Sequence, residues 1–318
     1  MNQNKNVCKK ISRKSNDIRK LLMYVWKKRN LYILLIPGIV YFLVFCYGPM
    51  YGIILAFKDF NFAKGIMGSD WVGLDNFKHM FEIGDFYKVF FNSLYLNVLK
   101  MICFFPMPIV FSLMLNEMGN KFYKRTTQTL IYLPYFISWV VIGGIMINFL
   151  SPSWGMVNLI IKSLGLEPVF FMGNAKYFRP IIVATEIWKG AGWDTILYLA
   201  AISTINPELY EATLIDGADR LQRIRYIIIP HIKFVIIIVG LIRIGYIMNN
   251  GFEQIFIFQN LNNLQVSEVF ETYIYKFGIL YGQFSFTTAV GLFTAVIGTI
   301  LLVTGDRLAK ALGQGGLF

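Results

Sequence analysis

The sequence has few charged side chains and few of the residues that build catalytic or metal centres. Charged residues make up 15% of its 318 positions, and it contains 3 cysteines and 2 histidines. Cys8, Cys46 and Cys103 are odd in number, lie in or beside apolar stretches and lack metal-ligand spacing, so we interpret them as small hydrophobic residues. His79 and His231 are too far apart in sequence to indicate a site by themselves. We therefore expect no metal site.

The sequence motifs of common enzymes are also missing. A phosphate-binding Walker A loop has the pattern GxxxxGK[ST], and no glycine in this chain is followed by lysine. The patterns HExxH, GxSxG and CxxC do not occur. We therefore predict no catalytic residues, no cofactor bound by this chain and no enzymatic activity of its own.

Long apolar runs are what the chain has in abundance, since 56% of its residues are hydrophobic and 17% are aromatic. A membrane-spanning helix needs about 20 mostly apolar residues. The first run is too long for the core of a signal peptide and has no clear cleavage site, so we expect it to remain as an anchor. The sequence predicts an all-α, multi-pass membrane protein with six transmembrane helices, at roughly 31–57, 89–115, 129–150, 180–204, 232–250 and 286–304.

The distribution of basic residues predicts the orientation of these spans. The net charge is +12, but much of it precedes residue 30, so binding to nucleic acid is the weaker interpretation and contact with membrane lipid the stronger one. Lysine and arginine are retained on the cytoplasmic side of membranes. We predict a basic cytoplasmic N-terminal tail (1–30), a six-span domain (31–304) and a cytoplasmic C-terminal tail (305–318). The basic residues behind this prediction are Lys5, Lys9, Lys10, Arg13, Lys14, Arg19, Lys20, Lys27, Lys28, Arg29, Lys121, Lys124, Arg125, Arg220, Arg223, Arg225, Arg307 and Lys310.

A compact polar insert at 205–231 separates the fourth and fifth predicted spans. Asn206 is placed to cap a short helix, and Pro207 suits its first turn. Gly217 is able to take the positive φ that ends this helix, and a second short helix is predicted from Ala218 to the re-entry of the chain at Pro230. Taken alone, the insert could be any charged, helical cytoplasmic loop.

The residues of the insert resemble the EAA loop of the membrane subunits of ABC importers. That loop has a Glu-Ala-Ala triplet, a glycine after three further residues, and later an apolar residue followed by proline. Two positions depart from the pattern, since threonine replaces the second alanine and isoleucine replaces leucine. The matching residues are Glu211, Ala212, Thr213, Asp216, Gly217, Ala218, Ile229 and Pro230.

The resemblance continues along nearly the whole chain from residue 31. EIWKGAGWDTILYLAAISTINPELYEA from Glu186, LLIPGIVYFLVFCYGPMYGIILAFKDF near the start, and GQFSFTTAVGLFTAVIGTILLV near the end are similar to carbohydrate-uptake permeases of the maltose-transporter type, in particular the LplB-like branch. The resemblance implies a type I ABC importer permease fold in the plasma membrane, with residues 211–213 and 216–218 coupling it to the ATPase.

The resemblance also implies a function and a set of partners. It implies import of an oligosaccharide or related glycoside by alternating access, with a second, related permease as the other half of a heterodimer. An extracellular sugar-binding protein would deliver substrate, and two ATPase subunits would carry ATP and Mg²⁺. An importer of peptides, amino acids or ions remains an alternative, as does a membrane scaffold or sensor without transport.

Polar residues inside the predicted spans are the candidates for a substrate pathway, because burying charge in a membrane is costly. Lys100 is interpreted first as half of a structural ion pair, and Glu186 and Lys189 are close enough on one helix to pair with each other. Amides suit sugar hydroxyls and aromatic rings suit the apolar face of a sugar, although Trp and Tyr are also common at membrane interfaces. The predicted substrate-pathway residues, among the fourth and fifth spans and their neighbours, are Trp188, Tyr246, Asn249, Asn250, Asn148, Glu186 and Lys100.

Overall fold

The computed structural model describes residues 23–24, 26–313 and 316–317. Cys8 and the predicted basic residues from Lys5 to Lys20 lie outside the described residues. The chain divides into two compact units, with the boundary between Ile54 and Leu55. The first unit contains helix α1 (Arg29–Tyr41) and a π-helical turn over Phe42–Tyr47; the 3-10 helix that follows, Gly48–Phe57, extends across the boundary. The predicted first span is therefore helical along its length.

A small antiparallel ribbon opens the second unit. Strand β1 (Lys58–Asp59) pairs with β2 (Asp70–Trp71), and the short helix α2 (Gly65–Gly68) lies between them. The Asn76 side chain donates to the carbonyl oxygens of Ala56 and Lys58, both at 3.0 Å. The described part of the fold is otherwise helical, as predicted. The ribbon was not predicted, because a strand of two residues is too short to show an alternating pattern.

The remaining α-helices follow in chain order through the second unit. They are α3 (Asp75–Glu82), α4 (Gly84–Cys103), α5 (Pro106–Asn116), α6 (Lys121–Tyr132), α7 (Trp139–Phe149), α8 (Met156–Ser163), α9 (Ala175–Ile202), α10 (Pro207–Ile215), α11 (Arg220–Arg223), α12 (Ile229–Gly245), α13 (Phe252–Phe258), α14 (Leu264–Ser267), α15 (Phe270–Ile274) and α16 (Phe284–Ala311).

Four helical stretches in the described part of the chain are long and apolar enough to cross a membrane: Arg29–Phe57, Gly84–Asn116, Arg220–Gly245 and Phe284–Ala311. A fifth is the pair Lys121–Phe136 and Trp139–Phe149, which bends by 99°. The prediction of a third span at 129–150 therefore missed this break, where Ser138 caps α7 by accepting from Val141 N at 3.3 Å. Local hydrophobicity shows the length of an apolar run and not its direction.

Helix α9 corresponds to the fourth predicted span, 180–204, which is not among the apolar stretches named above. It has 28 residues, a length of about 42 Å at the α-helical rise. Five charged side chains keep it below the apolarity of a simple span: Lys176, Arg179, Glu186, Lys189 and Asp194. Three of these, Glu186, Lys189 and Asp194, line an internal cavity, which explains why so charged a helix packs at the centre of the second unit.

Helix α9 packs closely against its neighbours at both ends of this cavity. Near its start, Phe178 and Ile182 pack with Leu96 of α4 and Ile255 of α13. Near its end, Tyr198 and Ile202 belong to a buried cluster with residues of α12. At Gly192 a side chain would collide with the carbonyl of Ile131, so this glycine allows the backbones of α9 and α6 to touch.

Candidate functional site

The polar insert at 205–231 is the predicted coupling loop, and the exposed helix α10 forms its first half. Asn206 caps it as predicted, because its Oδ1 accepts from Glu208 N at 3.1 Å. Glu211 and Ala212 are exposed, and Thr213 is half-buried with its hydroxyl donating to Tyr210 O at 2.8 Å. Gly217 has φ +71°, so the positive-φ turn predicted there is confirmed. Asp216, Gly217 and Ala218 thus form the tip that leads out of α10.

The second half of the loop differs from the prediction. The helix restarts at Arg220 with Asp219 as its cap, since Asp219 Oδ1 accepts from Gln222 N at 2.7 Å and Gln222 Oε1 accepts from Asp219 N at 2.8 Å. It then runs without interruption to Gly245, through a π-helical turn at Ile224–Ile228. The second helix thus begins close to the predicted Ala218, but the prediction that it ends at Pro230 was wrong, because the helix continues through this residue. Proline is tolerated inside such a helix because a π-helical turn, here just before Pro230, accommodates the missing backbone donor.

Side-chain contacts, both buried and exposed, hold the loop at its base. The guanidinium of Arg223 lies 3.2 Å from a Glu117 oxygen beyond the end of α5, and both side chains are largely buried. Thr204 and His231 are 3.0 Å apart through the hydroxyl and Nε2. Tyr210 packs into the cluster of α9 and α12, where burial raises the pKa of its phenol. Sequence reasoning missed these contacts, since Glu117 is 106 residues from Arg223.

A cavity of about 380 Å³ lies between α4, α9 and the end of α12. Five of the predicted substrate-pathway residues line it: Lys100, Glu186, Tyr246, Asn249 and Asn250. Helix α12 ends at Gly245, and the chain leaves helical geometry before α13 begins after Gly251, which has φ +83°. The cavity is thus bordered by an unwound segment, and one backbone carbonyl of this segment, Asn250 O, accepts a hydrogen bond from Lys100.

Lys100 is the centre of a buried network in this cavity. Its Nζ lies 2.5 Å from Glu186 Oε2 and donates to Asn250 O at 2.8 Å and Gln254 Oε1 at 3.1 Å. The Gln254 amide in turn donates to Ile182 O at 2.8 Å and Thr185 Oγ1 at 3.0 Å. The predicted structural ion pair of Lys100 is confirmed. The suggested pairing of Glu186 with Lys189 is wrong, because Glu186 faces α4.

A second ion pair joins α9 to α12 at the edge of the same cavity. Arg243 Nη2 lies 2.6 Å from Asp194 Oδ2, and the guanidinium sits 4.4 Å from the centre of the Phe104 ring. Both charged groups are thereby compensated within the protein. They also link the far end of the long helix that begins at Arg220 to the centre of α9.

Lys189 has a different environment. Its ammonium donates to the carbonyl oxygens of Tyr135, at 2.8 Å, and Ile137, which are exposed by the break between α6 and α7. It also lies 5.6 Å and 5.4 Å from the ring centres of Tyr135 and Trp139. The broken helix therefore presents both carbonyls and aromatic faces to this lysine.

The other predicted pathway residues lie elsewhere. Trp188 is 44% exposed and Asn148 donates to Gly144 O of its own helix at 2.9 Å. Neither belongs to the lining of the 380 Å³ cavity as the described residues form it. Trp193, a further tryptophan of α9 that was not among the predicted pathway residues, stacks on Tyr135 with ring centres 4.4 Å apart and borders a separate pocket.

Sequence reasoning missed several residues that do line the cavity, among them Asn97, Trp139 and Gln254. Asn97 and Trp139 carried a usable signal, since each is a polar or aromatic residue within a predicted span. Gln254 carried none, because it follows the last residue of the predicted fifth span and returns to the cavity only through the fold. In the part of the chain that the structure describes, no group of three or more side chains is arranged to hold a metal ion.

Comparisons with known proteins agree with this architecture. The family model described as binding-protein-dependent transport system inner membrane component matches residues 106–314. The chain is similar to the polygalacturonan/rhamnogalacturonan transport system permease protein YteP of Bacillus subtilis (strain 168), with 41% identity over 96% of this chain and 95% of the relative. Protein LplB of the same organism is 44% identical over 91% of each chain.

A solved structure shows the same fold. One chain of a bacterial alginate ABC transporter, crystallised in complex with alginate pentasaccharide-bound periplasmic protein, aligns with a TM-score of 0.84 and 38% identity. The alignment covers 92% of this chain and 98% of that chain.

Proposed function

The chain belongs to the family of binding-protein-dependent transport system inner membrane components, and from this premise we propose that it is a permease subunit of an ATP-driven importer of oligosaccharides. The observation that carries the proposal is the polar cavity at the end of α12. Its amides, ion pairs and aromatic rings suit a ligand that has both hydroxyl groups and an apolar ring face. Relatives whose names refer to polysaccharide or oligosaccharide transport support this substrate class.

The proposed mechanism is alternating access driven from the coupling loop. Helix α10 presents an exposed face, while the Arg223–Glu117 contact holds the start of the following helix against the end of α5. The helix from Arg220 to Gly245 is about 39 Å long and connects the loop directly to Arg243 and the cavity edge. A displacement of the loop by an ATPase would therefore be carried to the cavity by one rigid element.

Partner subunits complete the proposed importer. One chain supplies one wall of a pathway, so a second, related permease is proposed as the other half. Two ATPase subunits would bind ATP and Mg²⁺, and an extracellular sugar-binding protein would deliver the substrate. Support comes from the similar alginate transporter, whose structure is described as a complex with a periplasmic protein.

The proposed orientation places the N- and C-termini and the coupling loop in the cytoplasm. The test uses a cysteine-free background, because Cys46 and Cys103 are exposed. We expect a membrane-impermeant maleimide added outside cells to label Asp75→Cys, in the acidic connection, and to spare Gly217→Cys. Labelling of both positions after permeabilisation is the control. Labelling of Gly217→Cys alone in intact cells would reverse the assigned orientation.

Transport by the reconstituted importer tests the proposed function itself. Proteoliposomes that contain this permease, its partner permease and the ATPase pair are supplied with the binding protein and a panel of labelled oligosaccharides, amino acids and peptides. We expect ATP-dependent accumulation of at least one oligosaccharide, and no accumulation when ATP is replaced by a non-hydrolysable analogue. Accumulation of peptides or amino acids alone would support the alternative importer class and refute the proposal.

A further inference from the structure

The charges that line the cavity do not cancel. Three cationic side chains and two carboxylates are among its lining residues. Lys100 pairs with Glu186 and Arg243 pairs with Asp194, at 2.5 Å and 2.6 Å. Lys189 is the remaining cation, and within the described part of the chain no carboxylate lies within ion-pair distance of it. Glu253 is the acidic group that acts on it from farther away.

The hydrogen bonds of Lys189 leave part of its ammonium available. An ammonium has three N–H donors, and two of them are directed to the carbonyls of Tyr135 and Ile137. These carbonyls are neutral dipoles, so they orient the ammonium without cancelling its charge. One donor therefore remains for a ligand in the cavity, on an ammonium that no carboxylate neutralises within ion-pair distance among the described residues.

Two asparagines near this lysine have unused hydrogen-bonding atoms. Asn250 is 2% exposed, yet neither Nδ2 nor Oδ1 of its side chain has a hydrogen-bond partner. The amide nitrogen of Asn97 is also buried without a partner. Buried polar atoms are almost always hydrogen-bonded to protein, water or ligand, so these atoms beside a cavity are available to a polar group that enters it. A side-chain amide whose NH2 and C=O groups are both unpartnered suits two neighbouring sugar hydroxyls, because it can donate to one and accept from the other.

We propose that Lys189 binds a carboxylate of an acidic oligosaccharide, of the uronate type, whose hydroxyls reach Asn250 and Asn97. This inference rests on the proposed import of oligosaccharides and narrows it to anionic substrates. The ring of Trp139, whose centre lies 5.4 Å from the ammonium, offers an apolar face to the sugar ring that bears the carboxylate. Lys100 and Arg243 are unsuited to this role because their charges are already neutralised.

A purely local role for Lys189 makes a different prediction. If the lysine served only to satisfy the carbonyls at the 99° break between α6 and α7, its loss would alter the shape of the site for every substrate. Transport of charged and uncharged sugars would then fall by the same factor. A carboxylate-binding role instead adds a further loss that only substrates with the negative charge show.

The test compares trigalacturonate with its fully methyl-esterified form in the complete reconstituted importer. Methyl esterification removes the negative charge and keeps the sugar skeleton. We expect Lys189→Gln to lower uptake of the acid roughly tenfold more than uptake of the ester, the effect of losing one hydrogen bond to a charged group. Lys176→Gln is the matched control, because Lys176 is an exposed lysine on the same helix. It should change neither rate.

The outcomes separate this inference from the proposed function. Equal losses of acid and ester uptake in Lys189→Gln would assign the lysine a local role and overturn the inference. Import of neutral oligosaccharides but not of trigalacturonate by the wild-type complex would also overturn it, while the proposed function would stand. Failure of the wild-type complex to import any oligosaccharide would refute both.

Discussion

Replacing Lys100 with methionine should destabilise the second unit by about 3–5 kcal/mol, the cost of removing one partner of a buried ion pair. Lys100 is 6% exposed, and its ammonium bridges Glu186 of α9, Gln254 of α13 and the unwound segment at Asn250. The variant leaves the Glu186 carboxylate without a cation and the Asn250 carbonyl without its donor. We expect a lower apparent melting temperature of the detergent-solubilised protein and less protein in the membrane.

Two further variants show whether the buried charge is the cause. Lys100→Met combined with Glu186→Met removes both charges and should recover much of the lost stability, because an apolar pair of similar size replaces the ion pair. Lys64→Met breaks the exposed pair with Asp70 and should have almost no effect. A melting temperature for Lys100→Met that equals that of Lys64→Met would refute the structural role of the pair.

Replacing Gly217 with valine is expected to abolish transport while the protein still inserts and pairs with the second permease. Gly217 has φ +71°, and no atom lies within 4 Å of where its side chain would be, so the cost comes from the backbone conformation alone. A β-branched residue there costs roughly 1–3 kcal/mol. That strain displaces the tip of the coupling loop. Transport and ATPase association, measured on the reconstituted complex, should both fall sharply.

Asparagine provides the matched control at the same position. It tolerates the left-handed conformation better than other non-glycine residues, and the open surroundings accept its side chain. Gly217→Asn should therefore retain most of the transport that Gly217→Val loses. Normal transport by Gly217→Val, or equal loss in both variants, would show that the turn geometry does not matter for coupling.

Charge reversal at Glu211 tests whether the charge on the exposed surface of the same loop contributes to coupling. Glu211 is exposed and makes no ion pair among the described residues, so Glu211→Lys should leave folding intact and weaken association with the ATPase. Together with Gly217→Val it tests whether both the shape and the charge of the loop serve coupling. Normal transport by both variants would identify another element as the coupling site.

The sequence alone predicted the features that depend on neighbouring residues. The apolar runs predicted the spans near 31–57, 89–115 and 286–304, because about 20 apolar residues suffice to identify a membrane helix. Asn206 and Gly217 predicted the two ends of α10, because helix caps and positive-φ turns are made by residues next to the helix. Similarity to an importer permease was likewise visible in the residues from Glu211 to Pro230.

Some predictions from local pattern were incomplete for a physical reason. Pro230 was interpreted as the end of a helix, yet the structure continues the helix from Arg220 to Gly245 through a π-helical turn. The third span was predicted as continuous, yet it bends by 99° after Phe136. In both places neighbouring helices decide the geometry, since packing outweighs the preference of a single residue.

Only the tertiary structure decided how the charged residues are used. The sequence predicted an ion pair for Lys100 but not its partner, and it left Glu186 and Lys189 as a possible pair on one helix. The fold brings α4 against α9, so that Glu186 faces Lys100 and Lys189 faces the carbonyls of the broken helix. Pairing depends on distances in space between residues far apart in the chain, and these distances are set when the helices pack around the cavity.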